Sequence, residues 1–150
     1  MFRPLWTTLL ALTLIAGPAF AEDEAVTGLP NQDVIDGRTD AFMNKIQEGR
    51  ILAAYRSMQD VLGVDSDGFE ERGEEARQFF NQVRERVGDP VDHDRVRVSS
   101  IKDHFYRVDY LQKFEAAALA WEFTFYRPKD RWLLVGVKYS TDLDRLYTQE

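Results

Sequence analysis

The sequence predicts an α+β fold, with two or three N-terminal helices packed on a curved antiparallel sheet of about four strands. Three observations carry that prediction. Up to Val87, apolar residues recur every three or four positions, the period of an amphipathic helix. From Val91 onward the period drops to two, and the residues become β-branched or aromatic. Eleven of the 19 aromatic residues lie between Phe105 and Tyr147. That density suits a sheet covered on one face by helices rather than alternating βαβ units.

The chain opens with a single basic residue, Arg3, and a mostly apolar run from Leu9 to Ile15, which Gly17 and Pro18 interrupt. Ala19-Phe20-Ala21 places small residues where signal peptidase reads, and Glu22-Asp23-Glu24 follows directly. Residues 1–21 therefore read as a secretory signal cleaved after Ala21. A membrane span needs about 20 apolar residues, more than this interrupted run supplies. The expected location is periplasmic or secreted.

There is no cysteine, so neither a disulfide nor a lipid anchor on an N-terminal cysteine is expected, and residues 22–150 are enough for one domain with its own core. The full chain has a formal net charge of −7, and losing Arg3 makes the exported part more acidic still. Such a surface repels a nucleic-acid backbone, so nucleic acid is excluded as a partner, and no membrane contact is expected after cleavage.

Residues 22–33 are acidic, small or turn-forming, the composition of a flexible tether, and the folded domain is expected over 34–150. Ile35, Phe42 and Ile46 mark a first helix, with Thr39 and Asp40 suited to its first turn and Gly49 just past its end. Ile51, Tyr55, Met58 and Leu62 continue the spacing into a second helix that Gly63 ends. Phe69, Ala76, Phe80, Val83 and Val87 form the stripe of a third, stopped by Gly88, Asp89 and Pro90. Its acids precede its arginines, the favourable order for the helix dipole.

Four strands follow: Arg95 to Lys102, Phe105 to Lys113, Leu119 to Arg127 and Arg131 to Ser140. Tyr106, Val108 and Tyr110 share one face, as do Leu119, Trp121, Phe123 and Phe125, while Glu122, Thr124 and Tyr126 take the other. In the last strand Trp132 and Leu134 are out of phase with Val137 and Tyr139. A bulge at Gly136 would restore them to one face.

Helices followed by a strand meander carrying Tyr106-Arg107-Val108-Asp109-Tyr110, the run from Trp121 to Pro128, and Trp132-Leu133-Leu134 resembles the nuclear transport factor two-like superfamily, the cystatin-like cone. The resemblance covers Val34 to Leu146 and is strongest to its small exported bacterial members. It implies a curved sheet wrapped around the helices, often with a pocket inside the cone. Members of the superfamily include isomerases, dehydratases and ligand binders, and many dimerise through the sheet. The isomerase branch would place a carboxylate base opposite a tyrosine and a protonated acid, and no stretch here matches that pattern. Asp109 adjoins Tyr110, but neighbours in a strand point to opposite faces, so an inward Tyr110 sends Asp109 to solvent or a partner.

Without cysteine, thiolate catalysis and zinc-thiolate sites are excluded. His93 and His104 are flanked by acids, but the extended chain between them spans about 36 Å, so a shared metal needs a sharp reversal. No Gly-x-Ser-x-Gly elbow is present. The segment from Gly63 to Glu74 matches part of a twelve-residue calcium loop, with Asp65, Asp67, Gly68 and Glu74 in register, but Gly63 replaces the first ligand. Asp65-Ser66-Asp67-Gly68 is equally a turn in which Asp67 caps a helix. No metal or cofactor is expected.

Tyr106, Tyr110, Trp121 and Tyr139 are the candidates to line an apolar pocket, with phenols to orient a small apolar ligand, or else to fill the core. Two readings result. The first is an exported, non-enzymatic small-molecule-binding or protein-interaction domain, dimerising through its sheet. The alternative is an acid-base isomerase or lyase using the cone interior and a carboxylate such as Glu122 or Asp109.

Overall fold

Asn31 starts the first helix. In the computed structural model, which describes residues 26–147, its side chain accepts a hydrogen bond from the Val34 backbone N–H at 3.0 Å. That satisfies one of the free donors at a helix start and sets α1 at Gln32–Gln47, two residues earlier than expected. Thr39 and Asp40, assigned to the first turn from sequence, instead sit mid-helix and face the sheet. The tether expected over 22–33 is tied down at its end. The Thr27 N–H donates to the Asp60 carbonyl at 2.9 Å, and buried Leu29 bridges Trp132. Residues 22–25 and the expected signal segment lie outside the described residues.

The second helix is shorter than its apolar spacing implied. α2 spans Ile51–Arg56, and Gln59–Val61 forms a single 3-10 turn. α3 spans Ser66–Val87, with Asp65 rather than Asp67 as its cap; the Asp65 side chain accepts from the Asp67 N–H at 3.2 Å. Gly73 brings α3 against α2, because a Cβ there would lie 3.1 Å from the Tyr55 ring. Gly88 ends the helix at φ 86°, where a side chain would overlap Glu115.

The strands are β1 Pro90–Ile101, β2 Phe105–Phe114, β3 Ala118–Tyr126 and β4 Leu133–Ser140. They form one antiparallel sheet in the order β1-β2-β3-β4, with the helices on a single face. This is the expected α+β architecture. β1 begins five residues early because Pro90 and the charges after it are tolerated on an edge strand. Register shifts beside Val91 and Val96, and another in β4 at Val135, bend the sheet. The β4 shift adjoins Gly136 and puts Leu134 opposite Phe125 and Val137 opposite Phe123. Leu134, Val137 and Tyr139 thus share the helix-covered face, as the out-of-phase spacing required.

The core lies between that face and the helices. Phe42 of α1 meets Trp121 and Phe123 edge-on at ring separations of 5.7 and 5.0 Å. Phe80 of α3 stacks on Trp121 at 5.3 Å. Both are geometries that aromatic quadrupoles favour. No helix among the described residues is long and apolar enough to cross a membrane.

Candidate functional site

Of the four aromatic pocket candidates, three lie deep in this core with their polar ends bonded to protein. Trp121 is fully buried, and its Nε1–H donates to Gln112 Oε1 at 2.9 Å. The Tyr106 hydroxyl donates to Asp36 Oδ1 at 2.9 Å. The Tyr110 hydroxyl donates to Asp40 Oδ1 at 2.5 Å and lies 2.8 Å from Thr39 Oγ1. Arg95 closes this belt from β1, with Nη1 at 2.5 Å from Asp36 and Nη2 at 3.6 Å from Asp40.

Burial and the hydrogen bond to Asp36 push the Tyr106 phenol up to about 12. Burial and the Asp40 bond also raise Tyr110. Both phenols are therefore neutral donors at physiological pH, spent on aspartates of α1. Sequence reading missed Asp36 and Arg95 and took Asp40 for a first-turn residue. The signal available was a pair of acids four residues apart, one helical turn, on a helix that meets a tyrosine-bearing strand.

Tyr139 is different. It is half-buried, stacks on Phe79 at 5.0 Å, and lines an open groove of about 390 Å³ with Tyr55, Arg72, Glu75, Lys138 and Arg145. Burial and the nearby Glu75 charge raise its phenol.

The two carboxylates considered for acid-base chemistry face away from the core. Asp109 and Glu122 are direct cross-strand partners on the outer face of the sheet. Asp109 points away from the core, as its alternation with Tyr110 required, but it is 0% accessible rather than open to solvent. Arg97 Nε donates to its Oδ2 at 2.8 Å, Arg107 Nε lies 3.7 Å away, and its Oδ1 has no hydrogen-bond partner among the described residues. Glu122 is shared by Arg107, Lys138 and Arg145 at 3.7, 3.9 and 3.1 Å. A base must reach a substrate proton, and these carboxylates are enclosed by cations instead.

Arg145 belongs to the segment after β4, which crosses the outer face and brings Leu143, Leu146 and Tyr147 beside Val96 and Leu111. The other half of that face is uncovered. There Phe105 stacks on Tyr126 at 4.9 Å, and Ile101, 68% exposed, borders a cleft of about 300 Å³ with Ser99, Arg107 and Thr124.

The remaining motifs resolve simply. Most of the partial calcium loop is helix α3, in which Asp65 is a cap and Glu74 pairs with Arg77. His93 lies in β1 near the Tyr110 ring, whereas His104 sits in the turn after it, so the full length of the strand beyond His93 separates them. Among the described residues, no group of three histidines or acids is placed to hold a metal. The chain matches no family model, no curated protein and no solved structure.

Proposed function

We propose that this is an exported, non-enzymatic interaction domain of the nuclear transport factor two-like kind, which works through the outer face of its sheet. The observation that supports this reading most is the contrast between a filled interior and a half-uncovered outer face. Inside, the tyrosine hydroxyls and the tryptophan N–H are bonded to protein groups, which leaves no free polar group among them to orient a ligand. Outside, Ile101, Phe105 and Tyr126 present apolar surface beside the free edge of β1. Apolar surface of this kind marks contact sites more often than isolated exposed residues do.

The partner that fits is a second copy, docked face to face so that Ile101 and Tyr126 bury against their counterparts. Export rests on residues 1–21, whose composition is that of a cleaved signal. Sedimentation equilibrium of the mature chain tests the reading. A monomer-dimer equilibrium that Ile101→Glu shifts at least tenfold toward monomer is expected. A strict monomer at every concentration, or a dimer indifferent to that substitution, sinks it.

A further inference from the structure

The groove beside Tyr139 wraps the edge strand β4, with Tyr139 reaching it from the helix-covered face and Lys138 and Arg145 from the outer face. Gly63 bonds the edge of β4 at Leu134, its N–H 2.8 Å from the Leu134 carbonyl, and the groove opens further along the strand, beside Val137 to Ser140. The walls of the resulting groove come from four parts of the chain: Tyr55 of α2, Arg72 and Glu75 of α3, Val137 to Ser140 of β4, and Arg145.

Its charge is uneven. Three cations, Arg72, Lys138 and Arg145, face one acid, Glu75. Arg72 has no carboxylate within 4.0 Å among the described residues, although Arg56 of α2 and Arg77 of α3 are paired with Glu70 and Glu74. Lys138 and Arg145 lean on Glu122, but that carboxylate also serves Arg107, and Asp109 is occupied by Arg97 and Arg107. Two carboxylates therefore balance four cations behind the groove, in a chain whose net charge is −7. Among the described residues Arg145 binds Glu122 through Nη1 alone, and its Nε and Nη2 have no hydrogen-bond partner. The opposite wall is aromatic, with the Tyr139 ring backed by Phe79 and Trp121. At about 390 Å³ the groove is within the range of small-ligand sites, which run from about 300 Å³ upward.

We propose that this groove binds a small carboxylate with an aromatic or branched apolar body. The carboxylate lies toward Arg72 and Lys138 and the body against Tyr55, Val137 and Tyr139. The Tyr55 and Tyr139 phenols, both raised chiefly by burial, are neutral donors there. A free small acid and the C-terminal residue of a peptide share this chemistry. The site does not depend on the dimer proposed above, since it shares no residue with the patch around Ile101, Phe105 and Tyr126.

The test titrates the mature chain with 2-naphthoate, 2-naphthamide and N-acetyl-glycyl-phenylalanine, following backbone amide shifts by NMR. Naphthoate should bind at least tenfold more tightly than its amide and perturb Tyr55, Arg72 and Tyr139. Its affinity should fall at least tenfold in the double variant Arg72→Glu, Lys138→Glu and severalfold on raising the salt. A tighter peptide acid places the source at a protein C-terminus, and a tighter naphthoate places it among free acids. Either result supports the site. Equal affinity for naphthoate and naphthamide on the unaltered chain, or shifts confined to Ile101 and Thr124, overturns it. That comparison stands even if the double variant fails to fold, and neither result bears on dimer formation.

Discussion

Each face of the sheet buries side chains, by opposite chemistry. Tyr110 is 1% accessible beneath the helices, and its strand neighbour Asp109 is 0% accessible on the other side. The inner face is closed by rings and aliphatic groups, with polar tips bonded at its rim. The outer face is closed over one half by arginines and the segment carrying Leu143 to Tyr147, and left open over the other. Apolar burial removes surface from water at no electrostatic cost, whereas a buried carboxylate survives only while its partners hold it. The inner face therefore sets stability, and the outer face is where small changes alter what the protein can contact.

The largest expected effect is on the inner face. Trp121→Ala removes a ring touched by Phe42, Phe80 and Tyr139 and should cost about 3–5 kcal/mol in urea unfolding. A loss near 1 kcal/mol would mean that the interior is loosely packed and able to admit a ligand. Asp109→Asn comes next. It leaves Arg97 without its charge partner, and since Arg97 is partly exposed, water softens the loss to about 1–3 kcal/mol. An unchanged midpoint would show that the outer network contributes nothing.

Arg145→Ala should cost about 1 kcal/mol or less in global stability. Its main effect should be faster hydrogen exchange from Leu143 to Tyr147, with β2 and β3 unchanged. Equal acceleration across the whole sheet would tie the segment to the global fold.

A smaller effect appears in alkali. The folded pKa of Tyr106 is raised from 10.0 to about 12, so its contribution is fully present below pH 10 and is lost as pH rises through about 12. Tyrosinate absorbance should show this phenol ionising late, and Tyr106→Phe should remove that part of the alkaline dependence. Early ionisation of Tyr106 would contradict its bond to Asp36.

The inner face was largely legible in the sequence. Period-two alternation placed Tyr106, Tyr110 and Trp121 on the core side, and the phase change around Gly136 located the β4 bulge. Helix α3 was legible from Phe69 to Val87, but its cap was misread because Asp65 and Asp67 are chemically alike. The first strand was expected only from Arg95, because the charge and proline of Pro90 to Asp94 disfavour a strand, a rule that an edge strand escapes.

Which residues point outward was legible too, but their burial was not. Asp109, Arg97, Arg107 and Glu122 each resemble solvated charges. Their burial depends on cross-strand register and on a segment that returns over them after β4. The charged groove around Tyr139 draws on four separate stretches of chain, so no local pattern announces it.

On the proposed function, the protein meets its partner through the uncovered half of the outer face and not through the interior. Backbone amide shifts of the mature chain, recorded by NMR over a hundredfold range of protein concentration, test it most directly. Concentration-dependent shifts at Ile101, Phe105, Thr124 and Tyr126, with Tyr106, Tyr110 and Trp121 unmoved, are the predicted result. Shifts that are independent of concentration, or that centre on Tyr110 and Trp121, would contradict it.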